Sequence, residues 1–174
     1  MTNRSKFLWI GALWLAMMGG FIFTKQTTLA TGTEVLLKTV PVDPRDLFRG
    51  DYVTLRYAIS AIQLNSVRTD VPGSDLKGGQ EIYVTLDRTN GYGTVSGVFS
   101  QRPADGLFLK GIIRSAYPDQ ITVEYGIESY FVPEGKGRDI ERRRGDMDAK
   151  VAIDRSGNAI IKSLWRDGVE IRTK

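Results

Sequence analysis

The chain of 174 residues contains no cysteine and no histidine. The missing histidine excludes a Ser-His-Asp triad, imidazole acid–base catalysis and histidine-ligated haem or zinc. The missing cysteine excludes thiol nucleophiles, disulfides, iron–sulfur clusters, cysteine zinc sites and a lipid anchor on cysteine. Any chemistry here has to come from carboxylates, Tyr, Lys, Arg, Ser or Thr. Negative charge is also missing from the start of the chain. The first acidic residue is Glu34, and Arg4, Lys6 and Lys25 precede it. The net charge is +4, but taking those three from the 24 basic residues leaves 21 against 20 acidic ones. The remainder is nearly neutral and carries no electrostatic footprint of a nucleic-acid binder.

One long hydrophobic run is present. Phe7 to Phe23 is seventeen residues without a charge. As a helix it spans roughly 25 Å, at the short end for a bilayer crossing. Arg4 and Lys6 lie before it and only Lys25 soon after, so the positive-inside rule puts the N-terminus in the cytoplasm and the rest outside. The competing reading is a cleaved signal peptide with a weak site at Thr28-Leu29-Ala30, although the run exceeds the usual apolar core of roughly 7–15 residues. Ala12, Ala16 and Gly20 recur every four residues and form a small-residue stripe of the kind that lets membrane helices approach closely. Thr24 to Thr33 is polar and turn-prone and reads as a stalk. The expected organisation is a cytoplasmic tail and anchor over 1–24, a stalk over 25–33 and an extracytoplasmic domain over 34–174.

From Glu34 onward the pattern is mainly β. Strands are expected near Glu34–Val40, Tyr52–Ile62, Glu81–Asp87, Gly93–Gln101, Leu107–Ala116, Gln120–Tyr125, Ser129–Val132, Val151–Asp154, Ala159–Trp165 and Val169–Arg172. Asn90-Gly91, Asp105-Gly106, Ser156-Gly157-Asn158 and Asp167-Gly168 supply turns between them. One short helix is expected within Gly135–Gly145. The expected fold is an antiparallel β-sandwich or a barrel-like domain, and both architectures remain open. A faint repeat is present: Asp51–Ile59 aligns without gaps on Asp119–Ile127, sharing Asp, Thr, Tyr and Ile. It puts Arg56 and Glu124 at equivalent places with opposite charge.

The segment Pro41 to Ile62 is locally the most complete. Asp43 suits an N-cap, Pro44 a first helical position and Gly50 a left-handed exit. In the strand that follows, Val53, Leu55, Tyr57 and Ile59 alternate onto a core face, with Tyr52, Thr54, Arg56 and Ala58 on the other. Gly50-Asp51-Tyr52-Val53-Thr54-Leu55-Arg56-Tyr57 fits the pattern GDYXXLXY at every fixed position. Val42–Arg49 before it and Tyr125–Gly135 further on are also similar to segments of the GDYXXLXY family, a group of about this length with one N-terminal hydrophobic segment. The resemblance implies organisation rather than an activity, and it implies a multi-pass membrane protein as a partner.

Three Arg near this motif can bind a carboxylate or phosphate bidentately. The candidate binding residues are Arg45, Arg49, Asp51, Tyr52, Arg56 and Tyr57, with Glu128 and Tyr130 brought near by the repeat. The bland alternative is that the charged residues are caps and ion pairs that fix a turn, and that the tyrosines pack across strands. No pattern calls for a metal or a cofactor. A signal-peptidase-like Ser/Lys dyad lacks its Ser-Met box, since no Ser-Met dipeptide occurs. The leading expectation is a non-catalytic membrane-anchored interaction module, in contact with the bilayer and another membrane or envelope component, with no nucleic-acid partner. The rival is an envelope hydrolase with Asp51 or Glu128 as base.

Overall fold

A computed structural model of the chain describes residues 3–41, 52–131 and 147–171. The N-terminal run forms helix α1, Asn3–Thr31. Its large apolar side chains are exposed, from Phe7 at 74% to Phe23 at 68%. Over Lys6–Thr31 it is long and apolar enough to cross a membrane. The expected turn-prone stalk is a correction: the helix runs straight through it to Thr31. The hydroxyls explain why. Thr24 donates to the Phe21 carbonyl, Thr27 and Thr28 to that of Thr24, and Thr31 to that of Thr27, at 2.8 to 3.1 Å. Each polar group is satisfied inside the helix, which removes its competition with helical structure. The helix stops at Gly32, whose N–H donates to the Thr28 carbonyl. A Cβ at Gly32 would lie 2.5 Å from that oxygen and 3.1 Å from Ala152 Cβ, so the chain passes against the domain here only as glycine. Thr28 is buried and its hydroxyl also reaches Asp154 Oδ2 at 3.2 Å, docking the helix end on the sheet.

The described residues after α1 form a mainly β domain. Its strands are β1 (Thr33–Val40), β2 (Tyr52–Thr54), β3 (Arg56–Tyr57), β4 (Ala61–Gln63), β5 (Arg68–Thr69), β6 (Glu81–Thr89) and β7 (Tyr92–Phe99). They continue with β8 (Leu107–Ala116), β9 (Gln120–Glu124), β10 (Ser129–Phe131), β11 (Met147–Ile153), β12 (Ala159–Arg166) and β13 (Val169–Ile171). One large sheet runs β13-β12-β11-β1-β7-β6-β8-β9-β4. β3 pairs with the end of β1, Thr39 facing Tyr57 and Val40 facing Arg56. A single 3-10 turn, Ala58–Ser60, joins β3 to β4. The path from β1 through β7, β6, β8, β9 and β4 therefore comes back to β1, so of the two expected architectures the barrel-like one is found. A hydrophobic core includes Leu37, Tyr57, Ile82, Leu109, Ile121, Val151 and Leu164.

Two strand expectations need correction. The sheet is mixed, because β1 and β5 each run parallel to β7. Tyr52–Ile62 is not one strand but β2, β3, the 3-10 turn and β4. The expected alternation nevertheless holds where side chains are described: Leu55, Tyr57 and Ile59 are buried, whereas Thr54, Arg56 and Ala58 are exposed. The expected helix within Gly135–Gly145 lies outside the described residues.

Candidate functional site on a local two-fold axis

The two repeat copies lie against each other, antiparallel, in one unbroken register. β4 pairs with β9 through Gln63–Gln120, Ile62–Ile121 and Ala61–Thr122. β2 pairs with β10 through Thr54–Ser129, Val53–Tyr130 and Tyr52–Phe131. Leu55 N–H donates to the Glu128 carbonyl at 2.7 Å, continuing that ladder inward. Between the two ladders the strands part, and side chains replace the backbone bonds. Tyr57 OH donates to the Ile127 carbonyl at 2.6 Å, and Tyr125 OH donates to the Ile59 carbonyl at 2.6 Å. Tyr57 matches Tyr125 in the repeat, and Ile59 matches Ile127. Each copy thus gives the other the same bond, which is a local two-fold relation. Both tyrosines are buried. Burial, and next the nearby charge of Glu128, push both phenols well above their ordinary range. They stay protonated and remain donors.

This parting of the strands explains the break in Tyr52–Ile62. At the break the Ile59 carbonyl accepts from the Tyr125 hydroxyl, and the chain passes through the 3-10 turn in place of a continuous ladder. On the second copy the chain turns at Gly126, where φ is +76°, a left-handed value that glycine takes without a Cβ penalty. Gly111 of β8 passes directly beneath: a Cβ there would press on Val123 Cγ1 and lie 3.1 Å from the Tyr125 ring.

A cavity of about 210 Å³ opens where the copies part. Its lining comes in matched pairs: Thr54 with Thr122, Leu55 with Val123, Arg56 with Glu124, and Ser60 with Glu128. Arg114 completes it without a counterpart. β8 and β9 are in register at Ile113–Val123 and again at Ser115–Thr122, so Arg114 is the extra residue of a β-bulge. A bulge re-aims the side chain it carries, and Arg114 pairs with Glu124 through Nη1 and Oε1. Glu128 Oε1 accepts from the Tyr125 N–H at 2.6 Å. Arg56 is exposed and forms no ion pair among the described residues. The cavity therefore offers two guanidinium groups and two carboxylates, of which Arg56 alone has no partner among the described residues. That arrangement can receive an anionic group on Arg56, with hydroxyls of Thr54, Ser60 and Thr122 close by.

The sequence-predicted residues divide accordingly. Arg56 and Glu128 come together in the cavity. Tyr57 does not, and its candidacy as a binding residue is corrected: it is 1% exposed and holds the core. Tyr130 is half-buried and packs against Met147, as Ile171 also does. Tyr52 takes part in β2 through its backbone. Arg45, Arg49 and Asp51 lie outside the described residues. Ala12, Ala16 and Gly20 sit on the exposed helix, with nothing within 4 Å of a Cβ placed at Gly20. Sequence reasoning missed Arg114, because a bulge is a property of two strands together. Among the described residues no acidic cluster has a metal-holding arrangement.

Comparison with curated proteins and with solved structures returns no match for this chain. A family model described as GDYXXLXY protein matches residues 14–164. That span takes in the end of the apolar helix, both repeat copies and the bulge of Arg114, and with most of its length matched the chain belongs to the GDYXXLXY family.

Proposed function

We propose that this chain is a non-catalytic, membrane-anchored interaction module whose β domain stands outside the cytoplasm and binds another membrane or envelope protein. The observation that carries the reading is Arg56, exposed and without an ion pair among the described residues, in the lining of a cavity whose other three charged groups already have partners. A positive group held on a strand next to a rigid core is suited to capture a carboxylate of a partner. The exposed apolar run of the helix supports the anchor, since none of the described domain residues covers it. Arg4 and Lys6 before the run support an N-terminus on the cytoplasmic side. The stripe Ala12, Ala16 and Gly20 gives the helix a face for close approach to another membrane helix.

The envelope-hydrolase alternative draws on Glu124 and Glu128, which line the same cavity. Each already accepts a hydrogen bond or ion pair from the chain, which favours binding over acid–base work.

The test is an affinity pull-down from detergent-solubilised membranes, wild type beside Arg56→Glu. The expected result is one reproducible membrane partner with the wild type, and its loss with the variant while the melting temperature holds. Recovery of no partner, or equal recovery with Arg56→Glu, would count against the reading.

A further inference from the structure

A second and larger cavity, about 710 Å³, lies between the last two turns of α1 and the loops at Gly106–Phe108 and Asp154–Ser156. Its two walls differ in chemistry. The helix wall carries Thr24, Thr27, Thr28 and Thr31, spaced to fall on one face. Their hydroxyl protons are spent on the carbonyls of Phe21, Thr24 and Thr27, with that of Thr28 shared with Asp154. The wall therefore presents hydroxyl oxygen lone pairs and, behind Thr28, the negative charge of Asp154, whose own oxygens accept from Ser156 and Asn158. It accepts and does not donate. The loop wall carries Arg155, which is exposed and has no ion pair among the described residues. Arg102 reaches the Arg155 carbonyl at 2.7 Å and lies over the Phe108 ring at 5.8 Å, bringing a second guanidinium to the same rim.

We infer that this groove holds a phosphoethanolamine lipid headgroup, its amine on the threonine wall and its phosphate on Arg155. The inference rests on the membrane-anchor reading above. Guanidinium binds phosphate bidentately. An ammonium brings the three donors that an acceptor-only wall lacks. Depth agrees as well. The uncharged run ends at Phe23, and the groove wall begins at the next residue, Thr24. Thr24 to Thr31 covers about 10 Å of helix axis, comparable with the headgroup layer on one side of a bilayer, roughly 5–8 Å. A phosphocholine headgroup has the same charges and no N–H, so it fits the loop wall alone.

Native mass spectrometry of the full-length chain in detergent tests this, after incubation with equal amounts of phosphatidylethanolamine, phosphatidylcholine and phosphatidylglycerol of matched acyl chains. The expected result is one retained phosphatidylethanolamine, preferred about tenfold over phosphatidylcholine, the worth of a hydrogen bond to a charged group. The near-isosteric pair Thr27→Val with Thr31→Val should remove the preference over phosphatidylcholine. Arg155→Ala, at an exposed position, should weaken retention of phosphatidylethanolamine and phosphatidylcholine alike, since both carry the phosphate. Circular dichroism confirms that the variants fold, and Arg155→Ala carries the test if the Thr pair does not. Equal retention of the three lipids, a preference for phosphatidylglycerol, an unchanged preference in the Thr pair, or unchanged retention in Arg155→Ala would overturn the inference. Recovery of the chain in the soluble fraction of lysed cells would instead overturn the anchor reading beneath it.

Discussion

The two repeat copies do the same work in the core and different work at the surface. Tyr57 and Tyr125 are buried alike and make the same 2.6 Å bond to the opposite isoleucine. Arg56 and Glu124, one residue before each tyrosine, face the cavity with opposite charge, and Ser60 is matched by Glu128. The turns differ too, a 3-10 turn at Ala58 in one copy and a left-handed Gly126 in the other. Shared residues hold the axis, and unshared ones give the cavity its asymmetry. A symmetric scaffold can thus present a directional polar site without disturbing its core.

The largest break in this comparison comes from the tyrosines. Tyr57→Ala and Tyr125→Ala should each cost about 3–5 kcal/mol, the range for truncating a buried aromatic. Tyr57→Phe and Tyr125→Phe should each cost about 1–2 kcal/mol, because each leaves a buried carbonyl unpaired. Denaturant unfolding in detergent measures all four. Near-equal losses at the two positions support the two-fold relation, whereas a large effect at one tyrosine alone breaks it.

Gly111→Ala should cost about 1–3 kcal/mol, the range for overpacking a filled core. The three atoms nearest the added methyl, on Val123, Glu124 and Tyr125, all belong to the second copy. Thermal melting gives the size. The variant sharpens the comparison, since the opening moves on one side and cavity binding should weaken as well.

The smallest effect lies away from the axis. Glu34 on β1 is held by Lys150 of β11 and Lys162 of β12, at 2.9 and 2.6 Å. Their hydrogen bonds pull its carboxyl down from 4.5 to about 2. A depressed carboxyl stabilises the fold above its unfolded value and loses that contribution as pH falls toward the folded one. Glu34→Gln should therefore flatten the loss of stability between pH 4.5 and 2. At 41% exposure its effect near neutrality should stay under about 1 kcal/mol. Melting curves across that pH window read it, and they should leave the tyrosine comparison untouched.

Much of this arrangement was legible in the residues themselves. Turn pairs such as Asn90-Gly91 and Asp167-Gly168 marked real strand ends, and both residues of each pair adopt positive φ. The Leu55, Tyr57, Ile59 alternation predicted burial even though the strand is broken, because side-chain direction survives a short 3-10 turn. The repeat gives Arg56 and Glu124 equivalent places with opposite charge, and both line the cavity. Three things were not legible. Threonine back-bonding kept α1 helical where composition pointed to turns. The parallel contacts with β7 arise from the long-range closure of the sheet. Arg114 enters the cavity only because β8 bulges against β9, and no local pattern announces a bulge of that kind.

The cavity on the two-fold axis is the proposed recognition surface. With no native cysteine in the chain, one introduced thiol is a clean reporter. The measurement is photo-cross-linking in intact membranes from a thiol-attached probe at Arg56→Cys, beside Arg88→Cys on the β6–β7 hairpin as reference. The expected result is one discrete adduct from position 56, suppressed by adding Arg114→Glu, and no matching adduct from position 88. Equal adducts from both positions, or none from position 56, would contradict it.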